Sequence, residues 1–327
     1  MPYLTSLFRL FVGAALALAW SAGADAQTPY PDKPIRLVVP FPAGSGTDIV
    51  GRLLAQELSV AWNQPVIVDN RPGASTIVGT EIVAKAPPDG YTMVMASNNH
   101  AINPSLFASK LPFDSQKDFA AVAQVAVLPF VLVVNPQLPV KTFQELLSLA
   151  RSKPHELTYA STGNGTPPHV GGELLKNVAH IDLIHVPYKG SAAAVADVVS
   201  GQVSMMFINV PSAISLVRAG KLRALAVGTS KRLDSMPELP TVAELGFPGF
   251  DVSLWMGLLL PAHTPTDIVD KLSQEVSRIL NDPKMRAKLE EQGAEPAYRP
   301  PAAFSAFIAD EIKRFSQIVR DINLRVD

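Results

Sequence analysis

Cysteine is absent from the 327 residues. Disulfides, thiolate catalysis and cysteine-ligated metal sites are therefore excluded. Charge imbalance is missing as well. The 28 Lys and Arg against 29 Asp and Glu give a formal net charge of −1, which removes the electrostatic footprint of a nucleic-acid binder. No long run of one sign suggests an interaction tail or a membrane-surface patch. The six histidines include no H-E-x-x-H and no pair with metal-ligand spacing, so no metal and no cofactor is expected. Enzyme signatures are lacking too. No glycine-rich turn carries the lysine of a phosphate loop. "GNGTPP" has Pro168 where a dinucleotide fingerprint needs glycine. Neither Ser45 nor Ser161 sits in a G-x-S-x-G nucleophile elbow.

What is present is an apolar chain, 47% hydrophobic, long enough for two core-bearing lobes. Its first residues, "MPYLTSLFRLFVGAALALAWSAGADAQTPY", place Arg9 before an apolar stretch from Leu10 to Trp20. Ala24-Asp25-Ala26 then fits the A-x-A rule of signal peptidase. The apolar stretch is too short to span a bilayer comfortably. We read residues 1–26 as a secretory signal cleaved near Ala26, with the mature protein in the periplasm. No later segment reads as a membrane span.

Along the mature chain, apolar strands alternate with helical patterns. "IRLVVPF", "PVIVDN" and "YTMVMAS" read as strands, separated by a helix after Ala43–Gly46 and a helix over "TIVGTEIVAKA". The pattern restarts at "FVLVVNP" (Phe130–Pro136) and continues through strands at "LTYAS", "IDLIHVPYKG", "VSMMFIN" and "LRALAVG". "VSLWMGLLLPA" is one more strand, and Thr266 to Arg325 reads as mostly helical. The expected fold is α/β: two lobes, each with a mainly parallel sheet, joined by two crossing strands. The lobes are expected at 27–128 plus 251–327 and at 129–250. One large doubly wound sheet is the alternative. Trp62 and Trp255 are expected in the core rather than as stacking platforms.

Two turns share one physical pattern. "FPAGSGTD" (Phe41–Asp48) and "STGNGT" (Ser161–Thr166) each follow a strand and open a helix. First-turn N–H groups and the positive end of a helix make an anion site there. Glycines allow close approach, and Ser45, Thr47, Ser161, Thr162 and Thr166 add hydroxyls. Neither turn contains Lys or Arg, which favours a carboxylate over a phosphate. Charge-assisted hydrogen bonds contribute roughly 1.5–3 kcal/mol each. About four of them, less the cost of immobilisation, suffice for roughly micromolar affinity. Ser45-Gly46-Thr47-Asp48 is equally a capping signature that needs no ligand, and Asp48 is expected to cap its own helix rather than contact an anion.

The ordered stretches "YPDKPIRLVVPFPAGSGTDIVGRLLA", "NRPGASTIVG", "APPDGYTMVMAS", "LTYASTGNGTPPHVGGELL", "HVPYKGSAAAVADVVSGQVSMMF", "RAGKLRALAVGTSKR", "PTVAELGFPGF" and "LPAHTP" resemble the Bug family. These are periplasmic receptors similar to the binding component of tripartite tricarboxylate transporters. The resemblance covers essentially the whole mature chain. It implies a type II periplasmic binding protein, a Venus-flytrap that captures small carboxylates and is not an enzyme. By position it implies a ligand site of Phe41, Ala43, Gly44, Ser45, Gly46, Thr47, Ser97, Asn98, Ser161, Thr162, Gly163, Asn164, Gly165, Thr166, His169, Tyr188 and Asn209. Tyr188 could instead cap its strand, and His169 could be a polar residue of a helix face. The resemblance also implies that the segment Ser97-Asn98-Asn99-His100, after the third strand, lines the cleft. Lys189 is expected in solvent, and Arg71 outside the site.

Two departures from the family pattern bear on the ligand. Gly44-Ser45 stands where a Gly-Gly pair is usual, and Phe207-Ile208-Asn209 where Phe-Asp-Asn is common. An aspartate at 208 could hold an ammonium group; isoleucine cannot. The expected ligand is a plain carboxylate with an apolar body. The expected partners are this ligand and a membrane transporter or sensor component, and the chain is expected to be a monomer. A sensor module for signalling is the alternative function. A secreted hydrolase using Ser161 or His169 ranks below it, because no base-and-nucleophile arrangement is visible.

Overall fold

A computed structural model describes residues 30–321; the expected signal peptide lies outside them. Parallel β1 (Ile35–Val39), β2 (Val66–Asn70) and β3 (Thr92–Ser97) form one set of strands, in the order β2-β1-β3. Parallel β5 (Thr158–Ser161), β6 (Ile184–Pro187) and β7 (Met205–Asn209) form another, in the order β7-β5-β6. The long β4 (Phe119–Val134) links them. Up to Pro129 it pairs with β9 (Ser253–Pro261), itself antiparallel to β3. From Phe130 it pairs with β7 and with β8 (Arg223–Val227). The parallel pairs therefore lie on the strands that carry the turns, and the crossing strands pair antiparallel within a mixed sheet.

The second half of β4 reads as an unbroken apolar run because both its faces are buried. Phe130, Leu132 and Val134 pack with Phe143, Leu146 and Leu175. Val131 and Val133 pack with Ala194, Val198 and Met206 on the opposite side. Around the first set, Trp255 joins Val38, Ile102, Phe304 and Phe315 in a third cluster, which also takes in Val170 from beyond the crossing.

The helices follow their caps. In α1 (Gly46–Trp62), Ser45 accepts from the Asp48 amide, and Asn63 ends the helix in the left-handed region. α2 (Ile77–Ala84) follows a short 3₁₀ turn at Ala74–Thr76. α3 (Asn98–Leu106) begins on three consecutive buried polar residues. Beyond the crossing come α4 (Phe143–Ser152), α5 (Pro167–Ala179), α6 (Ser191–Ser200) and α7 (Val210–Arg218).

The C-terminal stretch expected to be helical is interrupted. After α8 (Thr266–Asn281) and α9 (Pro283–Glu291), β10 (Glu295–Arg299) adds to the edge of β4. α10 (Pro301–Asp321) then packs back on the first set of strands. Its buried Glu311 accepts from Trp255 Nε1 at 3.2 Å and from Arg314 Nε at 2.7 Å, so a carboxylate in this core is fully partnered. Arg314 also donates to the Asp251 carbonyl, just before β9.

Candidate functional site

Because β1, β2 and β3 are parallel, the segments that follow them leave one edge of the sheet. Those segments are the turn at Ala43–Gly46, the turn at Gly73–Thr76 and the start of α3. By the same argument Ser161, Pro187 and Asn209 end on one edge of the second set, where Ser161 pairs with Pro187 in register.

The first turn is held from behind by Asp48. Its Oδ2 accepts from the Gly44 amide at 2.8 Å and from Arg52 Nε at 2.9 Å, and its Oδ1 accepts from Asn70 Nδ2 at 2.8 Å. Burial raises the pKa of this carboxyl, but the bonds from Arg52, Gly44 and Asn70 outweigh it and hold the group below the usual carboxylate range. Asp48 is thus engaged with its own loop. The Gly44 amide is occupied, and Ser45 caps the Asp48 amide, so the helix offers a ligand the N–H groups of Gly46 and Thr47. Gly44 has φ 80° and open space where a Cβ would stand. A Cβ on Gly46 would meet Leu128 Cδ2 at 2.8 Å. Phe41 and Ser45 are half-buried, Ala43 and Gly44 exposed, and Thr47 buried.

The second turn differs in a way the glycine pattern hides. Pro167 and Pro168 occupy the first positions of α5 and have no N–H. The helix start supplies far fewer donors than expected, so an anion must be met by the turn itself. Within it, Gly163 N–H donates to Ser161 Oγ at 3.1 Å, Gly165 N–H to His169 Nδ1 at 2.9 Å, and Thr166 Oγ1 to the Gly163 carbonyl at 2.7 Å. Thr162 is half-buried and Asn164 exposed.

Several expected contact residues turn their polar atoms to protein partners. Ser161 is fully buried, and its Oγ lies 2.7 Å from His185 Nε2. His169 is buried and stacks on His185 with ring centroids 4.0 Å apart; His185 stacks in turn on Tyr159 at 4.8 Å. The sequence leaves these two histidines far apart; the parallel pairing of β5 and β6 joins them. Burial lowers the His169 pKa to about 3, helped by His185 and Lys176. Burial also lowers that of His185, with Glu173 opposing. The Tyr188 hydroxyl donates to Asp197 at 2.5 Å, with a pKa raised to about 12 by burial and by that carboxylate. Asn209 caps α7 through the Ser212 amide. Asn98 joins α3 to β9, donating to the Ser253 carbonyl at 3.0 Å and accepting from Trp255 N–H at 2.9 Å. Ser97 is buried at the start of α3, and its Oγ has no partner.

The structure adds Ser75, which the sequence did not single out, and gives a partner to Asn99 of the Ser97–His100 segment. Ser75 Oγ donates to the Asn164 carbonyl at 3.2 Å, and Asn99 Nδ2 reaches the Gly165 carbonyl at 3.5 Å. The second turn therefore touches two of the three segments leaving the first sheet edge. The signals were present in "NRPGASTIVG" and in the amide-rich "SNNHAIN". Glycine and small residues before a helix, and amides where apolar residues are usual, mark backbone that another element approaches.

Residues 50–324 match the family model described as tripartite tricarboxylate transporter family receptor. Protein BugT of Bordetella pertussis is 36% identical over 319 residues, covering 96% of this chain and 97% of that one. Among solved structures, R. palustris Rpa4515 with adipate is similar at TM-score 0.84 and 36% identity, covering 90% of this chain and 99% of that one. MatC (Rpa3494) from Rhodopseudomonas palustris, with bound malate, is similar at TM-score 0.79 and 34% identity, covering 89% of this chain and all of that one at 100%.

Proposed function

Since the chain belongs to the tripartite tricarboxylate transporter receptor family, we propose that it captures a small carboxylate in a cleft between two lobes and delivers it to a membrane transporter. Its family and fold are those of solute-binding receptors. We assign 27–128 with 251–327 to one lobe and 129–250 to the other, following the change of pairing partner between Pro129 and Phe130. The protein acts in the periplasm after loss of residues 1–26.

The observation that carries this reading is the meeting of an uncharged turn from one strand set with the sheet edge of the other, through Ser75–Asn164 and Asn99–Gly165. The ligand contacts are the Gly46 and Thr47 amides, the Ser45 hydroxyl, and the Thr162 and Asn164 backbone. Ser161, His169, Tyr188 and Asn209 shape the walls. Closure about the β4 and β9 crossings then encloses the acid. With Ile208 buried in the core, no carboxylate at that position can hold an ammonium group, which favours plain mono- or dicarboxylates. The acids in the two R. palustris structures fit that class.

Calorimetric titration with adipate, malate, citrate, aromatic acids and aspartate tests the reading. One plain acid is expected to bind at one site with micromolar or better affinity. Gly163→Val is expected to weaken it at least about tenfold, because φ 128° is a glycine-only conformation. Gly44→Val is expected to do likewise, since φ 80° strains any side chain. Failure of every acid to bind would remove the receptor assignment, and tight aspartate binding would overturn the ligand class.

The Ser161–His185 contact is the one feature that favours a hydrolase. Yet Ser161 is sealed from solvent and its Oγ already receives the Gly163 N–H. His185, stacked on both sides, is also a weakened base. Ester turnover lost in Ser161→Ala would restore that alternative. A role in signalling rather than transport predicts a deletion strain with normal uptake of the bound acid.

A further inference from the structure

Three successive residues, Ala74, Ser75 and Thr76, hold φ of 43°, 52° and 77°. This is the left-handed region, unfavourable for any L residue and most of all for a β-branched one. Such strain persists where surroundings impose it, and it gathers at switch regions and ligand clamps. Here the surroundings are identifiable. Asn103, buried within α3, donates from Nδ2 to the Ser75 carbonyl at 2.8 Å. That bond fixes the backbone so that Ser75 Oγ donates to the Asn164 carbonyl at 3.2 Å. Gly165, at φ 73°, completes the fit: a Cβ there would lie 3.0 Å from Leu106 Cδ1 and 3.8 Å from Ser75 Oγ. Ser75, Asn99, Asn103 and Leu106 all precede the β4 crossing, whereas Asn164 and Gly165 follow it.

We propose that Gly73–Thr76 is the latch of the closed receptor, with Ser75 the clasp on the second turn and Asn103 the positioning residue that aims it. The proposal rests on the two-lobe receptor reading above. Opening about the crossing strands breaks the Ser75–Asn164 and Asn99–Gly165 bonds and withdraws Val170 from the cluster around the first strand set. The latch therefore acts on how long a ligand stays rather than on how fast it arrives. It also sets the fraction of closed protein, and hence the apparent affinity.

The test compares Ser75→Ala and Ser75→Gly. Glycine relieves the backbone strain while removing the hydroxyl, so the pair separates strain from clasp. With adipate and malate as probes, stopped-flow tryptophan fluorescence is expected to show release about three- to tenfold faster in both variants, the effect of one net hydrogen bond. Association should change less than about twofold, a split that a general loss of stability would not produce. Release at the wild-type rate in both variants overturns the proposal. If neither acid binds, the ligand assignment fails, and small-angle scattering of the ligand-free proteins decides the latch. A larger radius of gyration in Ser75→Ala than in wild type supports it, and identical curves overturn it.

Discussion

Gly172→Val is expected to lower the free energy of unfolding by about 2–4 kcal/mol and to abolish carboxylate binding, a combined loss larger than that of any substitution in the turns themselves. Gly172 lies inside α5, where replacing glycine by a residue with a side chain ordinarily gains up to about 1 kcal/mol of helix propensity. Geometry reverses the sign. A Cβ at 172 would stand 2.2 Å from Tyr159 Cε2 and 2.6 Å from both Cδ2 and Cζ. Tyr159 has nowhere to go: its ring is 1% exposed, its hydroxyl donates to Glu173 at 2.5 Å, and its other face lies on His185. Pushing it moves His185, then the stacked His169, then the Gly165 amide that His169 accepts. A packing error is thus carried to the ligand turn. Gly51→Ala in α1 is the comparison, because its nearest neighbour would be the Val39 methyl at 3.2 Å; it should change stability by less than about 1 kcal/mol. Urea denaturation and calorimetry on both variants measure the difference. A Gly172→Val protein with wild-type stability and affinity would mean that the aromatic stack does not support the turn.

That chain of contacts also explains what the sequence could and could not reveal. The parallel strands were legible because their runs are short, β-branched and bounded by glycine and proline, and the second half of β4 because both faces are buried. Its first half, "FAAVAQVAVL", was not. Its alanines and a buried Gln124 give no strand period, and pairing with β9 through two register shifts makes it a strand. β10 was hidden among helices because its five residues, Glu295–Arg299, have charged ends and lie at an edge. The two turns announced themselves through small residues after strands. Ser75, Asn103 and His185 did not, since a hydroxyl, an amide or an imidazole acquires its task only when another element approaches. The prolines after the second turn were visible, but their effect on the donor count depends on where α5 begins.

Acid is expected to weaken the fold well before its carboxylates titrate. His100 is 2% exposed, donates from Nε2 to the Ser115 carbonyl at 2.7 Å, and sits against Phe113 and Phe119. Burial lowers its pKa to about 4, the Ser115 bond opposing, while His169 lies at about 3. In the unfolded chain both titrate near 6.5. Above that pH neither state is charged, and these groups have no effect. As pH falls below 6.5 the unfolded state binds protons that the folded state refuses, so stability declines until the folded values are reached. Each such group contributes about 1.4 kcal/mol per pH unit, or about 2 kcal/mol for each of the two between pH 6.5 and 5. Asp251, whose pKa burial raises, and Glu295, likewise raised, take up protons on folding and offset part of this slope. Asp48 and Asp69, held low in the folded state, are lost only at pH below the ordinary carboxylate range. A net loss of about 2–4 kcal/mol between pH 7 and 5 is therefore expected from urea midpoints, shrinking by roughly half in His100→Gln. A flat profile over that interval would mean that these histidines are not held neutral by the fold. Because His169 accepts the Gly165 amide and stays neutral in the folded protein until the pH nears 3, the acceptor beneath the second turn survives the decline in stability, and affinity for the acid should hold between pH 7 and 5 as long as the protein is folded.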